Sequence, residues 1–314
     1  MILKGKIIWV LSFFALLSTG LTKSVYAQAG RALTIIPPKF ELFSQPGSTE
    51  VETIKVKNES DVPVTYSIVI EDFTTSGEEG QVVLEEGETD SSYSLAQWIE
   101  METKDLILQP NEEKTIAFMI NVPRNAEPGG HYASVLFQSQ TQSVPGNAAV
   151  ASRVGSLILL RVSGNINENA QLETFTMGSN YVETGPVTFT MRVKNEGNVH
   201  INPQGKIVIT NLFNQVVSEV PLESRNVLPG AVRKVDTVWP EKNLFGRYKA
   251  TLIATYGEGA EKKLLTSAVV FTAASKTAIL LIVVSIVAVV GLLITLVAGR
   301  KRMGKALKMM ATGK

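Results

Sequence analysis

The sequence predicts an all-β fold, with two tandem β-sandwich domains followed by one C-terminal transmembrane helix. Three observations support this prediction. Short segments in which apolar and polar side chains alternate recur along most of the chain. A set of local motifs occurs twice in the same order. Residues 277–298 form a run of 22 residues without a charge.

The strands are predicted from side chains that alternate in character with a period of two, the pattern of a strand with one buried face. The alternation is clear at 64–70, 116–122, 189–193 and 248–254, and turns containing Gly and Pro separate such segments. A short helical turn is expected around 94–98. Many short strands with these spacings indicate a β-sandwich.

An internal repeat predicts the number of domains. Its landmarks are a Val-Lys-Asn-Glu segment, a Leu-Pro turn and a Gly-x-Tyr strand, found at 56–62 and 193–199, 108–110 and 228–230, and 130–133 and 246–250. We interpret them as one module used twice, with domain 1 at 28–164 and domain 2 at 165–273. In each copy we expect Asn-Glu to close a β-hairpin and the later Tyr to be buried between the sheets.

The N-terminus has the pattern of a secretory signal peptide. Two lysines precede the apolar segment 7–17, and small residues follow it. We expect a signal peptide at 1–27, with cleavage after Ala27 or Ala29.

The C-terminal apolar run is long enough to cross a membrane. At about 1.5 Å per residue, the helix 277–298 spans roughly 33 Å, and a hydrocarbon core is about 30 Å thick. The alternative, a buried core helix, is rarely apolar on every face over this length. The basic tail 299–314 places the C-terminus in the cytoplasm. These features predict a single-pass type I protein of the cell membrane with an extracellular ectodomain.

The charge of the whole chain hides an acidic ectodomain. Of the 30 Lys and Arg residues, three lie in the first 27 residues and seven lie from Lys276 onward, so 20 face 29 acidic residues in between, a net charge of about −9. This balance argues against nucleic acid as a partner. The absence of cysteine, in an exported chain with domains above about 100 residues, indicates a bacterial surface protein.

No motif in the sequence points to catalysis. The two histidines, His131 and His200, follow turns in different domains, and we interpret each as a structural or surface residue. The sequence contains no His-x-x-x-His pair, Cys cluster, Gly-x-Ser-x-Gly elbow or phosphate-binding loop. The sequence therefore predicts no catalytic, cofactor-binding or metal-binding residue, no cofactor and no enzymatic activity.

The one local charge anomaly is the stretch Glu71–Asp90, which holds eight acidic residues and no basic one. We expect a solvated hairpin with a self-repelling loop. The alternative is weak binding of a divalent cation, although the spacing does not fit a calcium loop.

Two further features could serve recognition. We expect most of the single aromatic residues to pack in the cores rather than form a ligand platform; they are Tyr93, Trp98, Phe137, Trp239 and Phe245. The small, polar loop 140–152 is expected to be a mobile connection rather than a recognition loop.

The turn and strand motifs resemble those of a known family. In this sequence the relevant segments are 106–110, 115–118, 122–123 and 128–132 in the first module, and 227–230 and 245–248 in the second. They are similar to the extracellular region of bacterial surface proteins that partner WxL-type cell-wall proteins. The resemblance implies two tandem Ig-like β-sandwich domains plus one C-terminal transmembrane helix, and binding of peptidoglycan or WxL partners. No residue-level motif carries that binding over.

The sequence therefore predicts a non-enzymatic, membrane-anchored bacterial surface protein. Its partners would be a cell-wall glycan or a surface protein, in adhesion or envelope assembly. Two alternatives remain open: a membrane-tethered assembly factor similar to pilus chaperones, and a carbohydrate-binding accessory module.

Overall fold

Strands and one long C-terminal helix make up most of this chain, which confirms the all-β fold with a C-terminal helix. The computed structural model describes residues 33–85, 92–139, 152–258 and 262–312. The predicted signal peptide lies outside the described residues, as do 86–90 of the acidic stretch and most of the loop 140–152.

The first sandwich is built from the strands before residue 163. Among the described residues these are β1 (Leu33–Ile36), β2 (Lys39–Ser44), β3 (Thr49–Asn58), β4 (Val64–Ser76), β5 (Gln81–Glu85), β6 (Ile99–Met101), β7 (Asp105–Leu108), β8 (Glu113–Asn121), β9 (Gly129–Ser139) and β10 (Arg153–Val162). One sheet has the order β1-β3-β8-β6, and the other has the order β2-β10-β9-β4-β5 with β7 also beside β4. The predicted helical turn is confirmed as a 3-10 turn at Ala96–Trp98.

The first two strands belong to different sheets although only two residues separate them. β1 pairs antiparallel with β3, whereas β2 pairs parallel with β10. Pro37 and Pro38 lie at the crossing, and neither can donate a ladder hydrogen bond, so one continuous strand is not available there.

The second sandwich repeats this plan. Its strands are β11 (Ala170–Met177), β12 (Tyr181–Val182), β13 (Val187–Asn195), β14 (Gln204–Asn211), β15 (Val216–Pro221), β16 (Val232–Trp239), β17 (Gly246–Tyr256) and β18 (Lys263–Ala273). The sheets have the orders β11-β13-β16 and β12-β18-β17-β14-β15. Its first strands also change sheet, because β11 pairs antiparallel with β13 and β12 pairs parallel with β18.

Each sandwich has its own hydrophobic core. Ile116, Phe118 and Ile120 of β8 are buried in the first, and Phe189 and Met191 of β13 in the second. The buried residues lie at every second position, which confirms the alternation in the sequence.

The expected hairpin after Asn58 is wrong. β3 ends at Asn58 and the next strand, β4, lies in the opposite sheet. The Asn58 side chain is fully buried, and its amide donates hydrogen bonds to the carbonyls of Val62 (2.8 Å), Leu108 (3.2 Å) and Gln109 (3.1 Å). The Asn58 side chain therefore links the turn between β3 and β4, where the chain passes from one sheet to the other, to the Leu-Pro turn at 108–110.

The second copy has the same arrangement, and the hairpin prediction is wrong there too. The buried Asn195 amide donates to the carbonyls of Val199 (2.7 Å) and Val227 (2.8 Å), and its oxygen accepts a bond from the Gly197 amide at 2.9 Å. β13 and β14, on either side of this turn, lie in different sheets.

The two sandwiches contact each other where β10 leads into β11. The Gly130 amide donates to the Asn198 carbonyl at 2.8 Å, and the Asn198 side chain donates to the Pro128 carbonyl at 3.1 Å. An ion pair between Arg161 and Glu168, 2.5 Å apart and largely buried, lies at the same junction.

The chain ends in a helix, α1 (Lys276–Thr312). Its segment Ile279–Arg300 has a mean hydropathy of 3.2 and is long and apolar enough to cross a membrane. None of this segment is buried by the described part of the chain.

Candidate functional site

A cleft of about 310 Å³ lies where the two sandwiches meet. It is lined by Asp72, Phe73, Thr74, Thr75, Glu85, Tyr93 and Tyr132 of the first sandwich and by Leu228, Pro229, Gly230 and Ala231 of the second. Its size is at the lower end of the range for small-molecule sites, which are mostly apolar with a few polar groups.

Tyr132 forms the floor of the cleft. Along β9, Ala133, Val135 and Phe137 face the first core, so Tyr132 lies on the opposite face of the sheet. It is 2% exposed, with its ring centroid 6.0 Å from that of Phe73. The expectation that this tyrosine lies between the sheets is therefore wrong. Successive side chains of a strand point to opposite faces, and Tyr132 is on the face opposite to that of Ala133.

The equivalent tyrosine of the second module behaves differently. Tyr248 packs against the second core, with its ring centroid 5.6 Å from that of Trp239 and 5.5 Å from that of Phe271. The two copies of the Gly-x-Tyr motif thus lie near the start of corresponding strands, β9 and β17, but their tyrosine side chains pack in different environments.

Tyr93 is the exposed aromatic of the cleft. Its ring centroid lies 6.2 Å from that of Tyr132, its carbonyl accepts a bond from the Tyr132 amide at 2.9 Å, and it is 38% exposed. The half-buried Glu85 and the hydroxyl groups of Thr74 and Thr75 supply polar groups nearby. An aromatic face next to carboxylate and hydroxyl groups suits a sugar ring, which has apolar C–H faces and a polar rim.

Asp72 positions the segment that carries Tyr93. Its carboxylate accepts bonds from the Ser94 hydroxyl at 2.6 Å and from the Leu95 and Ala96 amides at 2.8 Å each. Asp72 is 4% exposed, so this acid of the Glu71–Asp90 stretch is buried and not solvated.

The tip of the β4–β5 hairpin docks on the second sandwich. The Arg192 side chain donates two bonds to the Glu78 carboxylate, one from Nε at 2.8 Å, and the Lys234 amide donates to the Glu78 carbonyl at 2.8 Å. The Arg192 guanidinium lowers the pKa of Glu78. The hairpin itself is confirmed, but its tip is not self-repelling as expected, since Arg192 and Lys234 of the second sandwich pair with Glu78 and Glu79.

His131 is a buried residue of the first sandwich. One ring nitrogen lies 3.0 Å from the Ser94 carbonyl oxygen and the other 2.9 Å from that of Glu127. The ring also packs against Trp98, with centroids 4.4 Å apart. These contacts tie the 92–98 segment to β9.

His200 lies at the junction of the sandwiches. Its ring centroid is 5.8 Å from that of Tyr132. Burial lowers the pKa of His200 to about 4, against the opposing effect of the Glu41 carboxylate. Among the residues that the structure describes, no group of three or more His, Asp or Glu is arranged to hold a metal ion.

The core-packing expectation for the aromatic residues is right for most of them. Phe137 and Trp239 are buried in the two cores, and Trp98 packs against the first. Tyr93 and Phe245 are exceptions, at 38% and 59% exposure.

A second, wider groove of about 610 Å³ lies between β15 and β16. Its described lining contains no aromatic side chain, unlike that of the cleft. Compared with this groove, the cleft therefore has the chemistry better suited to a sugar.

Sequence reasoning did not identify the cleft. The spacing of Tyr132 and Phe137 was a usable signal. They are an odd number of residues apart in one strand, so if Phe137 faces the core, Tyr132 lies on the opposite face of the sheet. No local signal indicates that the 228–231 turn of the second sandwich covers this face.

Residues 39–139 match the family model described as WxL Interacting Protein, peptidoglycan binding domain. This match confirms the resemblance predicted from the sequence. It runs from the first residue of β2 to the last of β9 and includes every residue that the first sandwich contributes to the cleft.

A comparison with curated proteins finds no match. The chain is similar to several solved structures at low identity. They include a chaperone-tip adhesin complex of CFA/I fimbriae biogenesis (13% identity, 76% of this chain and 98% of that chain, TM-score 0.39), the class 5 fimbriae chaperone CfaA (14%, 76% and 99%, 0.38) and the Salmonella enterica SafA pilin in complex with the SafB chaperone (10%, 76% and 96%, 0.37).

Proposed function

We propose that this chain is a non-enzymatic bacterial surface protein that binds cell-wall peptidoglycan through the cleft. Domain 1, at 28–164, would carry the binding surface, and domain 2, at 165–273, would support it next to the membrane. The observation that carries the proposal is the match of 39–139 to a peptidoglycan-binding domain.

The cleft offers two complementary surfaces to a glycan. The exposed ring of Tyr93 would stack on the apolar face of a sugar, above the floor formed by Phe73 and Tyr132. The Glu85 carboxylate and the Thr74 hydroxyl would bind sugar hydroxyl and amide groups at the rim. Because the 228–231 turn closes one side, binding also depends on the docking of the two sandwiches.

The carboxylates of the cleft support binding rather than hydrolysis. Asp72 and Glu85 are paired across β4 and β5, but Asp72 accepts three hydrogen bonds from the protein and is almost fully buried. Glycoside hydrolysis by the usual mechanism needs two carboxyl groups that both reach the scissile bond. Asp72 is committed to holding the 92–98 segment instead.

The anchor and its orientation complete the proposal. α1 would cross the cell membrane once, and the basic tail 299–314 would stay in the cytoplasm. A signal peptide at 1–27 would export the acidic domains to the outer side.

Sedimentation with purified peptidoglycan sacculi tests the function. The full chain in detergent micelles should co-sediment with sacculi, and Tyr93→Ala should weaken binding roughly tenfold, the effect of about 1.4 kcal/mol of lost stacking. Phe43→Ala is the control, because Phe43 is an exposed aromatic of the first sandwich outside the cleft. Unchanged binding by Tyr93→Ala would reject the cleft, and no retention of the unmodified chain would reject peptidoglycan as the ligand.

A further inference from the structure

The second sandwich is joined to α1 without a free linker. Only Ala274 and Ser275 separate β18 from the helix. The Ala274 amide donates to the Val182 carbonyl at 3.0 Å, and its carbonyl accepts a bond from the Tyr181 hydroxyl at 2.6 Å. Whatever lies at this end of the sandwich is therefore held close to the surface of the membrane that α1 enters.

Strand register brings the β14–β15 hairpin tip to the same end. Asn211, the last residue of β14, is paired with Tyr248, which is paired with Phe271. β14 and β18 are both antiparallel to β17, so they run in the same direction. The chain that follows Asn211 therefore extends toward the end of the sandwich at which β18 leads into α1. At about 3.3 Å per residue, the tip lies roughly 10 Å from the level of Lys276 along the strands, and Phe245, just before β17, lies roughly 7 Å from it.

The side chains at this end are unusually apolar for loops. Leu212 is 66% exposed, Phe213 is 78% exposed, and Phe245 is 59% exposed. Turn positions are normally occupied by Gly, Asn, Asp, Ser or Pro. Exposed large apolar side chains that cluster at one place mark an interaction surface.

The hairpin tip is also preorganised. The Asn211 side-chain oxygen accepts bonds from the Phe213 amide at 2.9 Å and the Gln215 amide at 3.0 Å, and its amide donates to the Gln215 side chain at 3.0 Å. Asn214 adopts a φ of 59°, which Asn tolerates better than most residues. The turn thus holds two adjacent apolar side chains at the extremity of the sandwich by its own hydrogen bonds.

We propose that Leu212, Phe213 and Phe245 form a lipid-docking surface, which inserts into the headgroup layer of the same bilayer that α1 spans. This inference rests on the proposed membrane anchor. Aromatic and aliphatic side chains favour the membrane interface, where amphipathic segments bury their apolar face about 5–10 Å deep. Docking would fix the orientation of the second sandwich and so hold the cleft at a set height above the membrane.

The chain lacks cysteine, so a single introduced cysteine can carry a fluorescent reporter. We would label Gln215→Cys, beside the tip, with an environment-sensitive fluorophore and reconstitute the full chain in vesicles of phosphatidylcholine and phosphatidylglycerol. A Val62→Cys reporter, at a 59% exposed site of the first sandwich, is the matched control for an exposed position. A Val290→Cys reporter at the middle of the apolar segment of α1, read with a nitroxide placed deep in the lipid acyl chains, monitors the anchor independently.

The expected result is quenching of the Gln215 reporter by a nitroxide placed near the lipid headgroups, together with protection from aqueous iodide. The Val62 reporter should be quenched by aqueous iodide and not by the headgroup nitroxide. Replacing both Leu212 and Phe213 by Ser should move the Gln215 reporter to the behaviour of Val62.

Three results would overturn the proposal. If iodide quenches the Gln215 reporter as strongly as the Val62 reporter, and the acyl-chain nitroxide quenches the Val290 reporter, the lipid docking is wrong but α1 does span the membrane. If the acyl-chain nitroxide does not quench the Val290 reporter, α1 does not span the membrane, and the proposed lipid docking is rejected together with the anchor. If the Gln215 reporter is shielded from both quenchers, the surface is covered by protein, such as a second copy of this chain.

Discussion

Arg192 in β13 of the second sandwich forms a two-pronged contact with the Glu78 carboxylate at the tip of the β4–β5 hairpin. Such paired hydrogen bonds fix geometry as well as charge. Lys234 reinforces the contact through its amide, which donates to the Glu78 carbonyl at 2.8 Å. The acidic stretch of the first sandwich is thus partly an attachment element for the second.

We expect Glu78→Gln to loosen the attachment, because a neutral amide cannot accept two charge-assisted bonds. Amide hydrogens of β5 should exchange faster, while those in the two cores keep their protection. Hydrogen exchange on the full chain in micelles measures this. Glu113→Gln is the control, since Glu113 pairs with Lys55 on the surface of the first sandwich alone and should leave β5 unchanged.

Asn195→Ala should destabilise the second sandwich by about 2–4 kcal/mol. The change removes three hydrogen bonds and leaves the buried backbone carbonyls of Val199 and Val227 without this partner. Urea unfolding of the full chain measures the loss. Asn243→Ala, at an exposed loop position, should change stability by less than about 0.5 kcal/mol. Equal effects of the two substitutions would contradict the role given to Asn195.

Gly164→Ala should destabilise the junction by roughly 1–3 kcal/mol. Gly164 has a φ of +141°, and a Cβ there would lie 2.5 Å from the Pro128 ring. Gly178→Ala is the matched control, because a Cβ at Gly178 meets nothing within 4 Å. Thermal unfolding of both variants gives the comparison, and a similar melting temperature for both would refute the prediction.

Stability should fall as the pH drops from about 6.5 toward 4, partly because of His200. Burial lowers the pKa of His200 to about 4 in the folded protein, so in this window the unfolded chain binds a proton that the folded chain does not. This contribution is fully present above pH 6.5 and amounts to at most about 3 kcal/mol.

His200→Gln should therefore flatten the pH dependence of urea unfolding between pH 5 and 6.5. The charged groups that act on the ring are Glu41, Arg161, Lys39 and Glu168. Against the opposing effect of burial, hydrogen bonds from Asn226 and Lys39 lower the pKa of Glu41, so this carboxylate stays ionised across the window. An unchanged slope in the variant would show that His200 does not titrate as described.

The strands and the helix were predictable because their signals are local. Buried positions of β8 and β13 follow from a period of two in the sequence itself. The repeat was also visible, since two modules of the same fold place Asn58 and Asn195 at corresponding turns. The cleft was not predictable, because the 228–231 turn meets Tyr132 about 100 residues away in the chain.

Residue patterns alone were enough to predict the all-β class and the apolar C-terminal helix and to reveal the repeated motifs, because alternation, repetition and uninterrupted hydrophobicity can be read directly from the chain. The three-dimensional packing was needed to show that Asn58 joins two sheets, that Tyr132 faces the other sandwich, and that the Glu78 hairpin docks on Arg192. Each of those outcomes depends on which distant surface covers a side chain, and that is settled by packing between sheets and sandwiches rather than by local pattern.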